Sequence, residues 1–125
     1  MIVGTGVDLC EVGRMQAAIE RHGQRILARV FTEREIAYAE RRANRYERYA
    51  ARFAAKEAGM KALGTGWRGG LGWRDLEVTN LPSGRPTLAF HRKASEFAQK
   101  LGVRNISLSL THTAEQAMAL VILES

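Results

Sequence analysis

Residues 44–66 read NRYERYAARFAAKEAGMKALGTG, and this stretch decides the architecture. Its periodicity predicts a helix from Asn44 to Leu63, and the glycine that follows, Gly64, predicts its end. One face of this helix carries only small residues, which suit close packing against a sheet. These residues are Ala51, Ala54, Ala55, Ala58 and Ala62. We therefore expect this helix to form the centre of the fold.

A second face of the same helix is apolar except for a carboxylate and a lysine. It consists of Tyr46, Ala50, Phe53, Glu57, Met60 and Lys61. A carboxylate in apolar surroundings is costly unless it is paired or binds a cation. The pattern alone favours a Glu57–Lys61 salt bridge at i, i+4 spacing over a cation site, and it leaves both open.

Two further helix faces are basic. In the central helix the basic residues are Arg45, Arg48, Arg52 and Lys56, a stripe that by itself favours a solvated face. Residues 14–31 predict a first helix, which Gly23 interrupts. Its arginine face comprises Arg14, Arg21, Arg25 and Arg29, with Met15 on the neighbouring apolar face. Docking onto an acidic helix or a phosphate backbone and simple solvation are equally compatible with this arginine face.

The other segments predict an α+β protein. Strands are expected over residues 2–9, 76–79, 86–90, 105–111 and 117–123, a helix over 91–101, and a loop over 67–74. Thr32, followed by two glutamates, is expected to cap a short helix. The sum is one domain, residues 1–125, with an antiparallel-leaning sheet and helices packed on one face.

Composition narrows the function classes. The chain has 125 residues with 46% hydrophobic content, which excludes a disordered chain and a two-domain enzyme. A net charge of +6 favours an anionic partner: nucleic acid, a phosphorylated small molecule or an acidic protein. The single cysteine, Cys10, has no intramolecular partner, and the sequence shows no signal peptide and no apolar run that spans a membrane. We expect a cytoplasmic protein.

Three further sites are candidates for chemistry. Gly4-Thr5-Gly6-Val7-Asp8 resembles a dinucleotide fingerprint but lacks its third glycine, so the glycines are better explained by close packing. Asp8 is either a helix cap or a functional acid in an apolar strand. Lys61 and the glycines of Gly64-Thr65-Gly66 either cradle phosphate or form an ordinary helix end. His112 ends a strand, and the histidines show no zinc-binding spacing.

Taken in order, these segments resemble the small bacterial-type 4′-phosphopantetheinyl transferases, the holo-acyl-carrier-protein synthases. Gly4 to Leu9 with Glu11 and Arg14 resembles the first family signature, and residues 52–58 with 61–66 resemble the second. Asn80 with Gly84-Arg85-Pro86 resembles the hairpin of the family. Residues 107–113, Ala117 and residues 121–124 resemble its closing strands. The likeness covers essentially the whole chain.

The resemblance implies a 4′-phosphopantetheinyl transferase fold and a reaction. Phosphopantetheine passes from coenzyme A to a serine of apo acyl carrier protein, and adenosine 3′,5′-bisphosphate leaves, which supports fatty acid biosynthesis. In this family Mg²⁺ is held by the residues that correspond to Asp8 and Glu57, and Mg²⁺ commonly takes one or two protein carboxylates. Lys61 would offset charge, and the serine proton would go to Glu57 or to a metal-bound water oriented by Asp8.

The resemblance also implies partners and contacts. Coenzyme A would contact Lys56, Lys61, Gly64, Thr65, Gly66, Asn80, Arg85 and His112. The acidic carrier protein would dock on Arg14, Arg21 and Arg25, with Met15 as an apolar contact. The family implies a homotrimer with sites at subunit interfaces. No nucleic-acid or membrane partner is expected.

Two rival functions stay open from the residues. A small nucleic-acid-binding module would explain the charge, but it leaves Glu57 unexplained and lacks aromatic residues interleaved with the basic stripes. A non-catalytic relative that binds coenzyme A without transferring from it would share the fold. The presence of Asp8, Glu57 and Lys61 speaks against this second rival.

Overall fold

The computed structural model describes residues 1–66 and 69–125. Its elements are β1 (Ile2–Glu11), α1 (Val12–His22), α2 (Gln24–Val30), α3 (Glu33–Glu40), α4 (Arg45–Leu63), a 3₁₀ helix (Trp73–Asp75), β2 (Leu76–Asn80), β3 (Pro86–Phe90), α5 (Arg92–Leu101), β4 (Asn105–His112) and β5 (Gln116–Glu124). Among these residues, no helix is long and apolar enough to cross a membrane.

The expected architecture is confirmed, with two sheets in place of one. β1, β5 and β4 form a three-stranded antiparallel sheet in that order, and β2 pairs with β3 in a separate antiparallel hairpin. The inward residues of β5 are fully buried against α4. The mixed helix and sheet class, with helices on one sheet face, therefore follows the sequence pattern.

Three expected boundaries differ from the structure. The helix expected over 14–31 is two helices, because Gly23 adopts a positive φ of 53° and turns the chain between α1 and α2. β1 continues to Glu11, since its pairing with β5 runs on to Gln116. The loop expected over 67–74 includes residues 67 and 68, which lie outside the described residues, and its end is the 3₁₀ helix.

The first strand and the central helix are in backbone contact. A Cβ atom at Gly4 would overlap the carbonyl oxygen of Ala62, and one at Gly6 would overlap that of Ala58. Any side chain at these two positions would push β1 away from α4. The glycines that resemble a nucleotide fingerprint therefore allow close packing, as the sequence indicated.

The opposite face of the three-stranded sheet is apolar and exposed. Val7 and Leu9 on β1 are 51% and 57% exposed, and Met118 and Leu120 on β5 are each 40% exposed. These four residues alternate with the inward residues of their strands and lie side by side in register. We refer to them as the outer sheet face.

Candidate active site

Two carboxylates and a lysine meet where β1 lies against α4. Asp8 is on β1, and Glu57 and Lys61 are one turn apart on α4. The Lys61 Nζ atom lies 3.5 Å from Asp8 Oδ1 and donates a hydrogen bond of 3.2 Å to the carbonyl oxygen of Val7. The structure thus brings together the three residues that were predicted to be catalytic.

The alternatives for these residues are now decided by geometry. Asp8 is not a helix cap, because β1 runs past it and Glu11 occupies the N-cap position of α1. Lys61 forms its ion pair, within residues 1–66 and 69–125, with Asp8 and not with Glu57. The salt bridge at i, i+4 spacing that the pattern favoured is therefore wrong.

The pKa of Glu57 is raised because its carboxyl group is partly buried and lies close to that of Asp8. Partial burial, the nearby negative charge of Asp8 and a hydrogen bond to Asp8 raise the pKa of Glu57 to about 7, against the opposing effect of Lys61. Two carboxyl groups that share one place compete for ionisation. A cation between them would remove that conflict, so the donor set fits a divalent ion that prefers oxygen ligands.

A cavity of about 400 Å³ opens beside Glu57. Its wall combines apolar side chains with a few polar groups. The lining residues are Leu9, Cys10, Glu11, Arg14, Met15, Ala18, Ile26, Phe53, Glu57 and Gln116. Burial and the charges of Glu57 and Asp8 raise the pKa of the Cys10 thiol to about 11, so the thiol stays protonated at neutral pH.

The residues expected to dock a carrier protein border this cavity or continue from it. Arg14 lines the cavity and is exposed, whereas Met15 is buried and contributes to its wall. Arg21 is exposed at the end of α1. Arg25, on α2, lines a neighbouring shallow cavity of about 280 Å³ with His22, Ile26 and Arg29. A basic surface therefore leads from both helices to Glu57.

The turn after α4 is a helix end, one of the two alternatives that the sequence left open, and phosphate binding there stays a prediction. Gly64 has a φ of 76°, and its N–H donates to the carbonyl oxygens of Met60 and Lys61, so it is a helix C-cap. Gly66 also has a positive φ, 61°. The cap places Gly64, Thr65 and Gly66 directly beyond Lys61, where their backbone borders the lysine.

The other predicted contacts with coenzyme A lie away from Asp8. Asn80 ends β2, where its Oδ1 accepts a hydrogen bond of 2.9 Å from Arg52 and its Nδ2 donates to Gly84. Arg85 is exposed in the same hairpin. His112 lies 3.0 Å from Glu47 near the start of α4, ten residues before Glu57, or roughly 15 Å along a helix axis.

Sequence reasoning missed a basic cavity that lies at Arg52 and Asn80. A cavity of about 360 Å³ is lined by Arg34, Ala37, Tyr38, Arg41, Arg52, Val78, Thr79 and Asn80. The Arg52 guanidinium stacks on the Tyr38 ring, and its buried Nε has no hydrogen-bond partner among the described residues. The clue available in the sequence was the position of Arg52, next to Phe53 in the second signature. The helical wheel assigned Arg52 to a solvated face.

Lys56 corrects two expectations. It was placed on a solvated stripe and, by resemblance, among the coenzyme A contacts, yet its side chain is fully buried. Its Nζ lies 2.7 Å from Glu35 Oε1 and donates to the carbonyl oxygens of Trp73 and Leu76. With no exposed surface it has no route to a ligand, so we leave it out of the site. Burial lowers its pKa against the opposing charge of Glu35.

Comparison with known proteins places this geometry in a family. Residues 4–121 match the model of the 4′-phosphopantetheinyl transferase superfamily. The holo-[acyl-carrier-protein] synthase of Solibacter usitatus is 64% identical over 125 residues, which cover all of both chains.

Two solved structures share the fold. The chain matches the holo-[acyl-carrier-protein] synthase of Neisseria meningitidis with a TM-score of 0.89 and 31% identity, over all of both chains. It matches a holo-(acyl-carrier-protein) synthase of Bacillus anthracis, solved in complex with CoA (3′,5′-ADP), with a TM-score of 0.81 and 35% identity, over 100% of this chain and 98% of the other. The chain therefore belongs to the 4′-phosphopantetheinyl transferase superfamily.

Proposed function

We propose that this protein is a holo-acyl-carrier-protein synthase. It transfers the 4′-phosphopantetheine group of coenzyme A to a serine hydroxyl of apo acyl carrier protein and releases adenosine 3′,5′-bisphosphate. The observation that carries the proposal is the meeting of Asp8, Glu57 and Lys61 where β1 touches α4. The full-length similarity to synthases of this name supports it.

Asp8 and Glu57 are the proposed ligands of Mg²⁺. Their shared position disfavours two neighbouring negative charges, and a hard divalent cation would favour them. When bound, Mg²⁺ neutralises charge on the pyrophosphate during transfer. The role of the protein is to hold both carboxylates on rigid elements, a strand and a helix whose backbones touch through Gly4 and Gly6.

Lys61 and the turn after it complete the phosphate environment. The Lys61 ammonium is half exposed and anchored to Asp8 and to the Val7 carbonyl, so it presents positive charge beside the two acids. It would stabilise negative charge as the bond to the leaving phosphate breaks. The serine oxygen would form the new bond to phosphorus, and the serine proton would pass to Glu57 or to a water oriented by Asp8.

The carrier protein would approach across the basic surface of α1 and α2. Arg14, Arg21 and Arg25 would attract an acidic helix, and the cavity beside Glu57 would receive an apolar side chain near Met15. This approach directs the serine to the carboxylates. We propose an apo acyl carrier protein as the partner.

The nucleotide portion of coenzyme A is proposed to bind in the basic cavity at Arg52. Three arginines and Asn80 line it, and the buried Nε of Arg52 has no hydrogen-bond partner among residues 1–66 and 69–125. Asn80 and Arg85 lie in the β2–β3 hairpin, which meets α4 at Arg52 and not at Asp8, and this fits a ligand shared between copies of the chain. We therefore propose a homotrimer with sites at subunit interfaces, in which the outer sheet face is covered. Activity in the cytoplasm, in support of fatty acid biosynthesis, completes the proposal.

Intact mass spectrometry of the acceptor tests the reaction. Apo acyl carrier protein is incubated with the enzyme, coenzyme A and Mg²⁺, and a parallel sample contains EDTA. The expected result is a mass gain of one phosphopantetheine group that EDTA abolishes. A gain that persists in EDTA would refute the metal assignment. No gain with any of several carrier proteins would refute the activity and favour the non-catalytic relative.

Light scattering tests the assembly. We expect three times the chain mass for the wild-type protein and a smaller species for Leu120→Asp, which places a charge on the outer sheet face. A wild-type monomer that is fully active would refute the shared site.

A further inference from the structure

A buried ion pair connects the central helix to the segment that follows the glycine turn. Lys56 on α4 and Glu35 on α3 are both fully buried, with Nζ and Oε1 2.7 Å apart. A buried ion pair of this kind often adds no stability over an apolar pair of similar volume, so its presence calls for another explanation. The remaining hydrogen bonds of the two side chains supply one.

Both side chains bind the main chain of the same segment. Lys56 donates to the carbonyl oxygens of Trp73 and Leu76, which lie in the 3₁₀ helix and directly after it. Glu35 Oε2 accepts a hydrogen bond of 2.9 Å from the N–H of Val78. The pair thus fixes the start of β2 directly onto α4, five residues before Lys61.

A second contact fixes the same segment from the other side. Asp75 Oδ2 accepts from the N–H of Gly72, while Asp75 Oδ1 accepts from the Nε of Arg92 at 2.8 Å. Arg92 has a positive φ of 47°, a conformation that a non-glycine residue seldom adopts. The chain that leaves α4 at Gly64 therefore returns to a firmly held position at residues 72–78.

We propose that Glu35 is a positioning residue for coenzyme A. Through Lys56 it holds residues 73–78, so the strand that ends at Asn80 stands at a fixed place on α4. Asn80 belongs to the coenzyme A site in the proposed function, on which this inference rests. The ion pair therefore acts on the affinity for coenzyme A and not on the approach of the carrier protein.

The test removes the pair without leaving a buried charge. In Glu35→Gln/Lys56→Met both charges are lost together, so we expect a folded protein with a melting temperature near that of the wild type. Binding of coenzyme A with Mg²⁺ and binding of apo acyl carrier protein are each measured by calorimetry. We expect Kd for coenzyme A, and its KM, to rise at least tenfold, while Kd for the carrier and kcat change less than threefold.

Two further variants keep the test decisive if the double variant does not fold. Glu35→Asp keeps the charge but withdraws the carboxylate by one methylene, so it no longer reaches Lys56 and Val78 together; we expect a three- to tenfold rise in Kd for coenzyme A. Leu108→Ala removes a buried side chain on β4 and serves as a destabilised control with unchanged affinity.

The outcomes separate this inference from the proposed function. Wild-type affinity for coenzyme A in folded Glu35→Asp or in the double variant would overturn the positioning role. Equal loss of affinity for coenzyme A and for the carrier would also overturn it, since that is the result of general disorder. Failure of the wild-type protein to bind coenzyme A would instead refute the proposed function.

Discussion

The two sides of α4 carry charges in opposite circumstances. On the side facing β1, Asp8 and Glu57 are two acids together, with Lys61 half exposed beside them. On the other side, the buried Lys56 is matched by Glu35 and by main-chain carbonyls. The comparison teaches that two neighbouring acids without full compensation of their charge mark a ligand site. A buried charge that is matched by a counter-charge and by hydrogen bonds instead holds segments of the fold together.

The largest effect should come from Glu57. Glu57→Gln removes a proposed metal ligand, so we expect transfer activity to fall by about 100-fold or more. Stability should be unchanged or slightly higher, because the two acids no longer compete. Transfer rates by mass spectrometry and thermal unfolding check both expectations. Glu96→Gln, an exposed glutamate on α5, is the matched control, and a fully active Glu57→Gln enzyme would contradict the site.

Lys56 should show the reverse behaviour. Lys56→Met leaves Glu35 buried without its counter-charge, so we expect the free energy of unfolding to fall by about 3 kcal/mol or more. Urea denaturation measures it. Lys93→Met, at an exposed lysine of α5, should cost little. If Lys56→Met is as stable as the wild type, the buried pair does not fix the fold.

Gly6 allows the close approach of β1 to α4 that brings Asp8 to Glu57. Gly6→Ala places a methyl group against the Ala58 carbonyl, so we expect a loss of about 1–3 kcal/mol in stability together with reduced activity, because Asp8 moves away from Glu57. Gly13→Ala is the control, since a Cβ there meets no atom within 4 Å. Similar unfolding curves for the two variants would argue against close packing of β1 on α4.

The smallest effect concerns the pH dependence of stability through Glu77. Burial raises the pKa of Glu77, but hydrogen bonds to Thr32 and His91 and the charge of His91 outweigh it, so the net pKa is lowered. The ionised Glu77 carboxylate therefore contributes its full stabilisation at pH values above its pKa in the unfolded chain. This contribution is lost as the pH falls through the lower pKa that Glu77 has in the folded protein. Urea denaturation between pH 3 and 6 should show a shallower acid loss for Glu77→Gln than for the wild type; equal slopes would contradict the assignment.

The sequence predicted one side of α4 well and the other poorly. Glu57 and Lys61 lie one helical turn apart, so a helical wheel places them together, and the strand pattern around Asp8 makes that acid conspicuous. Lys56 has its partner 21 positions earlier and its carbonyl acceptors 17 and 20 positions later. Helical periodicity relates only residues of the same helix, so it predicted solvent exposure for Arg52 and Lys56.

The same reasoning explains the boundaries. The end of α4 at Gly64 and the N-cap at Thr32 depend on local chemistry, and both were expected from residues within four positions. The hydrogen bonds of Glu35 to Thr32 and Val78 were not predicted, and the contact with Val78 is not local. The basic cavity at Arg52 is formed by residues of α3 and its C-terminal end, of α4 and of β2. It was missed because these three segments are far apart in the sequence.

The pairing of β1 with β5 has a consequence for synthesis on the ribosome. β1 begins at Ile2 and pairs with a strand that ends at Glu124, and the N–H of Ser125 bonds to the carbonyl of Met1. The pairing of β1 with β5 must wait until β5 has been synthesised, and such non-local contacts form slowly. Until then the alanine face of α4 lacks its contacts with β5, so its burial is completed only at the last step of folding.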